Sequence, residues 1–414
     1  MDIASGAPRR RGLFTYENGL LLLLGLTFGV AFFDRQAINF VIPFLQPELG
    51  LNNTQIGLLN SGLSLAWAIS AYVIGAWSDR LGVRKPFLVA AIVIFSLCSV
   101  FSGLATGFVF LLMARVVMGA AEGPFLPICL SVMNSASSPN RRGLNAGIMQ
   151  NAFGALLAVT LGPPLLAWLA EAYSWRIALM AAGVPGLILL PLVIRFVREP
   201  GVPARERGAA RQSANPIALL RIRNIVLCAA IGACLVGWGL LIPPFLPRYY
   251  EAFRGMTTVT AVQTMSVLGL STAIFGFLAP GLSDRIGRRP VMIGASALSM
   301  LLPLGALYYQ GPMAGLLVLM FIGWIGTGLF PLFMGIIPAE SASPTLAATA
   351  MGLIVGLSEI LGGVLTPTIG GALADASDLR APLYLSASLA LAATILSFFL
   401  KETAPLKQRG PATA

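Results

Sequence analysis

The sequence predicts an all-α membrane protein, with twelve transmembrane helices in two six-helix bundles related by pseudo-symmetry. Three observations predict it. The chain is 57% hydrophobic and only 10% charged, with mean hydropathy +0.84, whereas a soluble domain carries about 25% charged residues. Apolar stretches recur from end to end, each long enough for a bilayer crossing of about 20 residues. A distinctive glycine- and arginine-bearing turn occurs twice, about half a chain apart. Together these exclude a soluble globular protein.

The apolar stretches lie near 18–46, 55–78, 86–105, 108–134, 143–170 and 176–196, then near 224–248, 258–282, 290–309, 313–337, 346–371 and 381–400. Between the two sets runs one long polar connection rich in Arg, Pro, Gly and Ala. The chain divides there into an N-terminal bundle (1–197), a cytoplasmic linker (198–223) and a C-terminal bundle (224–414). The 45 glycines and 28 prolines suit spanning helices, where both are more frequent than in soluble ones. Arg9, Arg10 and Arg11 precede the first stretch and no small-residue cleavage site follows soon after, so this helix is expected to remain in the mature chain.

The formal net charge is +11. The Lys and Arg residues sit in short loops between apolar runs and build no basic face, so orientation in a membrane explains them better than nucleic acid. With the N-terminus inside, 21 of the 27 basic residues fall on the cytoplasmic face. Arg176, Arg248, Arg254 and Arg380 fall on the other, and Arg35 and Arg115 lie within helices. The excess of inner positive charge predicts that both termini are cytoplasmic. Cys98, Cys129, Cys228 and Cys234 lie in apolar runs without metal-ligand spacing and read as small core residues. There is no histidine, metal cluster or nucleophile elbow, so neither an enzyme nor a cofactor is implied. The expected surroundings are a lipid bilayer, with the chain a monomer.

The repeated turn begins at Gly75-Ala-Trp-Ser-Asp79-Arg80-Leu-Gly82-Val-Arg84-Lys85-Pro86 and again at Gly281-Leu-Ser-Asp284-Arg285-Ile-Gly287-Arg288-Arg289-Pro290. Asp79 and Asp284 are 205 residues apart, and the half-ends Phe196-Val-Arg198-Glu199 and Phe399-Leu-Lys401-Glu402 match at 203. Parallel repeats of this kind form bundles that rock about a central site. Gly82 and Gly287 allow the sharp reversal. Asp79, Arg80, Arg84, Asp284, Arg285 and Arg288 are candidates for a cytoplasmic gate that pairs across the bundles in one state and releases in the other. The alternative reading leaves these arginines as topology anchors. The doubled motif, the six-plus-six count and the central basic loop resemble the major facilitator superfamily over essentially the whole chain.

Five ionisable residues lie clearly within spans: Asp34, Arg35, Arg115, Glu122 and Glu359. Each costs roughly 2.5–3.5 kcal/mol at a helix centre on insertion scales, so all should face the bundle interior or a wet cavity. Four belong to helices one and four. Arg115 and Glu122, seven residues apart, share a helix face, and an Asp–Arg and an Arg–Glu pair are expected between the two helices. At the 205 offset the four positions map to Gly239, Leu240, Met320 and Thr327, so the repeat keeps the scaffold and drops the charges. A chemical site fits that asymmetry better than a structural ion pair, which stays the alternative. Without histidine, a proton carrier must be a buried carboxylate, and Asp34 and Glu122 are the candidates. Protonating one would free Arg35 or Arg115 for an anion. Glu359, among Gly356, Gly362 and Gly363, reads as a second protonatable group or as a neutral hydrogen-bonded acid in the binding cavity. Asn39, Asn60, Ser64, Gln150 and Asn151 are further candidates to line it, with Tyr72, Trp238 and Ser358 as weaker ones. The bland reading of each is an interhelical hydrogen bond of about 0.6 kcal/mol.

Phe33-Asp34-Arg35, Ala114-Arg115 through Gly119, and Ala121-Glu122-Gly-Pro-Phe-Leu-Pro127 resemble the anion:cation symporter family, which includes sugar-acid and aromatic-acid permeases. The resemblance implies secondary active transport, with proton-coupled symport of a small organic anion. Short loops without large outer domains suggest a bacterial inner membrane. By it, Asp34 and Glu122 handle protons while Arg35 and Arg115 meet the carboxylate. Pro139-Asn140-Arg141-Arg142-Gly143 is similar to the family's loop, with Asn140 where an acidic residue is common. The alternatives are a Spinster-like sphingolipid or lysolipid transporter, a drug:proton antiporter, whose Gly-Pro-x-x-Gly-Gly signature is incomplete at Gly162-Pro163, and a non-transporting sensor.

Overall fold

Among the described residues, eleven helices are long and apolar enough to cross a bilayer, and a twelfth apolar helix is shorter. They are α1 (Tyr16–Leu49), α2 (Asn53–Leu81), α3 (Lys85–Gly103), α4 (Phe108–Ala136), α5 (Leu144–Ala172) and α6 (Trp175–Phe196), then α7 (Arg223–Arg254), α8 (Thr258–Ile286), α9 (Arg288–Tyr308), α10 (Met313–Ser341), α11 (Thr349–Ala376) and α12 (Ala381–Ser397). The structure is a computed structural model and describes residues 15–138, 141–199, 219–343 and 346–404. Arg9 to Arg11, Pro139, Asn140, most of the linker, Lys407 and Arg409 lie outside the described residues, as do the side chains of Asp79 and Asn151.

Helix starts are fixed by ordinary caps. The Thr15 hydroxyl accepts from Asn18 N–H, Asn52 and Gln55 form a capping box at α2, and Ser174 caps α6. Such side-chain oxygens satisfy amides that the first turn leaves unpaired. The repeat is visible in the backbone. Among the described residues, four glycines have positive φ: Gly50 (61°), Gly82 (68°), Gly255 (63°) and Gly287 (111°). They form two pairs, Gly50 with Gly255 and Gly82 with Gly287, each 205 residues apart. Each member stops a helix at the equivalent place in its half, where a Cβ would be strained.

The fifth helices also correspond. Both α5 and α11 widen into π-helical turns, at Ile148–Ala152 and Gly154–Leu161 in one and at Glu359–Leu365 in the other. Such turns occur frequently at functional sites.

The turn after α2 and α8 brings the two repeat signatures together in space. Glu199, just past α6, accepts from Arg84 N–H and from Lys85 N–H at 2.9 Å. Glu402, just past α12, accepts from Arg288 N–H at 2.8 Å and Arg289 N–H at 3.1 Å. Each glutamate neutralises the positive N-terminal end of the third helix of its half. The arginine side chains turn back to serines 205 residues apart: Arg84 Nη1 donates to Ser78 Oγ at 3.0 Å and Arg288 Nη1 to Ser283 Oγ at 2.6 Å. Arg288 also bonds Asp284 (2.5 Å) and Glu340 (2.9 Å). The pairing across bundles expected for Arg288 is not among these bonds, because acceptors within its own half already engage its guanidinium. Arg80 and Arg285 are exposed.

The halves meet at the end opposite these turns. The sites where Cβ atoms would sit on Gly57 and Gly371 run into Pro367 O and Asn53 O, so α2 and α11 touch backbone to backbone. Ser61 and Thr368 share a hydrogen bond of 2.7 Å across the same contact. Asp375 accepts from Asn53 N–H (2.9 Å), Thr54 N–H (2.8 Å) and Thr54 Oγ1 (2.6 Å), while Arg248 of α7 donates to Asn53 Oδ1 at 2.5 Å. Gly269 of α8 packs against Thr160 of α5.

Candidate functional site

Helix α1 places Asp34 and Arg35 on different faces, because successive residues on an α-helix are turned by about 100°. Asp34 is buried and turned into the N-terminal half, where its Oδ1 accepts from Ser99 Oγ of α3 and its Oδ2 has no partner among the described residues. Arg35 is half-buried and lies over the Trp67 ring of α2, its Cζ 5.5 Å from the ring centre. Guanidinium over an aromatic face is favourable, more so where water is displaced.

Helix α4 supplies Arg115 and Glu122, both buried. Arg115 Nη2 donates to the backbone carbonyl of Arg35 at 2.8 Å, and Nη1 to Met118 Sδ at 3.2 Å, while Nε is unpartnered. Glu122 Oε1 is likewise buried without a partner. A close approach of α4 to α2 puts these groups near the centre: the Cβ positions of Gly119 and Gly123 fall on Leu63 O and Ser70 Oγ. The four charges act on one another electrostatically, Asp34 with Arg115 and Glu122, and Arg115 and Glu122 with Arg35. The direct Asp–Arg and Arg–Glu ion pairs expected from the sequence do not form. Ser99 claims one oxygen of Asp34, and the Arg35 carbonyl claims the far end of Arg115. The charges converge without being joined.

A polar chain continues along the same region. Asn60 of α2 donates to Asn39 Oδ1 (3.0 Å), and Asn39 donates to Gln36 Oε1 (3.0 Å). Glu359 stands across from it in the other half, at the start of the π-helical turn of α11. Its Oε2 lies 2.7 Å from the Cβ position of Gly363, which in turn is 3.4 Å from Ser64 Oγ of α2. Arg35 is the cation that acts on Glu359. The sequence offered no cation near this acid; the packing of the halves provides one.

Among the described residues, the other candidates make no hydrogen bond to the charged group. Gln150 is exposed on the π-helical part of α5 and has no hydrogen bond to the charged group among the described residues. Tyr72 is 81% exposed. Trp238 is wholly buried in the C-terminal half, 4.8 Å from the Trp324 ring, with its Nε1 donating to Ser299 O. Its indole is occupied by core packing. Ser358 is buried between α7 and α11 against Gly232. Ser99, Gln36 and Trp67 were missed. A serine stripe on α3 at 96, 99 and 102, and the three-residue spacing of Gln36 and Asn39, are the signals by which the first two could have been found.

A family profile described as Major Facilitator Superfamily matches residues 24–360 and 282–414. The chain belongs to the Major Facilitator Superfamily. It is a multi-pass membrane transporter and not an enzyme. Among its relatives in the superfamily, the probable 4-methylmuconolactone transporter of Cupriavidus pinatubonensis (strain JMP 134 / LMG 1197) is 30% identical over 360 residues, covering 82% of this chain and 81% of the relative. The hexuronate transporter of Bacillus subtilis (strain 168) is 30% identical over 266 residues, covering 63% of this chain and 61%, less than two thirds, of the relative. A bacterial homologue of the human lysosomal transporter Spinster shares the major facilitator fold, with TM-score 0.75 at 19% identity over 94% of this chain and 97% of that one. At that identity the likeness is one of fold alone.

Proposed function

We propose that this transporter carries a small organic anion together with protons, by alternating access between the two halves. The observation that carries the proposal is the cluster of Asp34, Arg35, Arg115 and Glu122, in which two guanidiniums and two carboxylates converge and, among the described residues, buried polar atoms of three of them have no bonding partner. A structural salt bridge would have been consummated. An ion held ready but unpaired costs free energy in a low-dielectric site, and that cost is recovered when a ligand or proton arrives.

In the proposed cycle Glu122 and Asp34 take up protons, which withdraws negative charge from Arg35 and Arg115. The carboxylate of the substrate then meets the guanidiniums, whose planar forks suit it. Asn39, Asn60, Gln150 and Asn151 give hydrogen bonds to the rest of the substrate, and Glu359 faces it from the other half. The turns holding Asp79, Arg80, Gly82 and Arg84, and Asp284, Arg285, Gly287 and Arg288, form the cytoplasmic gate. The halves in this reading are residues 1–197 and 224–414, joined by a linker at 198–223, with both termini in the cytoplasm of a cell whose inner membrane holds the protein as a monomer. Hexuronate, named for one relative, is an anion of the proposed class.

Uptake of radiolabelled hexuronate and a panel of carboxylates into proteoliposomes, with and without an inwardly acidic or outwardly acidic pH gradient, tests the reading. Saturable carboxylate uptake that accelerates when protons flow in the same direction supports it. Transport of a sphingoid lipid with no response to any carboxylate overturns it.

A further inference from the structure

Glu359 is the one clearly intramembrane charge that the sequence places in the C-terminal half. It has no acidic counterpart in the repeat, since 205 residues earlier stands Gly154. Its carboxylate is folded over Gly363, with Oε2 2.7 Å from where a Cβ would sit. The π-helical turn Glu359–Leu365 aims this stretch at Ser64 of α2, across the seam between halves. Oε2 is buried and without a hydrogen-bond partner among the described residues. Arg35 acts electrostatically on both Glu122 of its own half and Glu359 of the other.

Counting charges around this seam gives the consequence. On the premise that Arg35 keeps Glu359 ionised while Asp34 and Glu122 take up protons, Arg35, Arg115 and Glu359 leave a net charge of one positive. A monoanion cancels it; a dianion leaves one negative charge in a poorly solvated site, where uncompensated charge is strongly unfavourable. We propose that Glu359 is a specificity-determining residue that restricts the site to monocarboxylates and, as an acceptor facing the substrate from the opposite half, favours those bearing a hydroxyl donor away from the carboxylate. Dicarboxylates are rejected by the repulsion between their second carboxylate and Glu359. This inference rests on the proposed anion site and protonation scheme.

The test uses purified full-length protein and two length-matched probe series: D-gluconate, hexanoate and adipate, and 3-hydroxybenzoate, benzoate and isophthalate. Binding is read by ligand-induced thermal shift and by competition against uptake in proteoliposomes. The wild type should bind the hydroxylated monocarboxylate of one series at least ~10-fold more tightly than its dicarboxylate, a difference of about 1.4 kcal/mol. Glu359→Gln should invert or erase that ratio by admitting the dicarboxylate, while Glu359→Asp should keep it; melting temperature without ligand shows that both variants fold. A ratio unchanged in Glu359→Gln, or a wild type that takes dicarboxylates equally well, overturns the assignment to Glu359 and leaves the anion site standing. Failure of every carboxylate in both series to bind the wild type overturns the anion site itself.

Discussion

Arg115 of α4 donates to the main-chain carbonyl of Arg35 on α1 across 2.8 Å, so one cation is anchored by the backbone of the residue that carries the other. Glu122 acts electrostatically on both cations and Asp34 on Arg115, which offsets the repulsion between the two guanidiniums. The bond also sets the position of Arg115 relative to Met118 and leaves Nε free to bind. Arg115→Lys keeps the charge but loses the planar fork that reaches the carbonyl and an anion at once. Initial uptake of hexuronate by the lysine variant should fall at least ~10-fold, equivalent to about 1.4 kcal/mol. A lysine variant as active as the wild type would show that only the charge matters.

Glu122→Gln preserves shape and removes the titrating proton. In proteoliposomes loaded with unlabelled substrate, counterflow exchange should continue, whereas accumulation driven by a pH gradient should be lost. If gradient-driven accumulation persists at wild-type levels, coupling runs through another acid and Asp34→Asn becomes the decisive variant.

Asp375 closes the end opposite the repeated turns by accepting three hydrogen bonds from the first turn of α2. Hydrogen bonds to an ionised group are worth about 1.5–3 kcal/mol when shielded from water, and less at this exposed site. Asp375→Ala should release the contact between α2 and α11. A cysteine introduced as Thr368→Cys, in a background lacking the native cysteines, should then react several-fold faster with a membrane-impermeant maleimide. No change in labelling rate would mean that the backbone contacts at Gly57 and Gly371 hold the closure unaided.

Glu402 lies outside the spans and gives a pH-dependent contribution to stability. Burial alone would raise its carboxyl, but backbone N–H groups of Ala404, Arg288, Arg289 and Thr403 outweigh that and hold it below its ordinary value of 4.5. A carboxylate depressed in the folded state stabilises fully above its unfolded value and loses that contribution as pH falls through the lower folded value. Detergent-solubilised protein should therefore lose part of its thermal stability as pH falls below about 4.5. Glu402→Gln should melt lower near neutral pH and show a shallower loss on acidification. An unaltered acid profile in that variant would assign the effect to other carboxylates.

Much of this was legible in the residues alone. Composition and run length dictate spanning helices, because a backbone crossing oil must satisfy its own hydrogen bonds. The recurrence of one turn at 205 residues divides the chain, and the same interval reappears in the positive-φ glycines Gly50 and Gly255, a pair with no surrounding motif to draw notice. Intramembrane charge cost singles out Asp34, Arg35, Arg115, Glu122 and Glu359 without any coordinates.

Which way those side chains point was decided only by the tertiary structure. Asp34 and Arg35 are adjacent in sequence, yet one is held by Ser99 of α3 and the other looks over Trp67 toward the opposite half. Periodicity gives the angle between two side chains on a helix but not which neighbouring helix occupies each direction. The expected ion pairs gave way to Ser99 and the Arg35 carbonyl for that reason. Likewise, the cation facing Glu359 comes from more than three hundred residues earlier, and the partners of Arg84 and Arg288 from the far ends of their own halves. Local chemistry names the groups a bilayer will not tolerate alone; only helix packing selects their company.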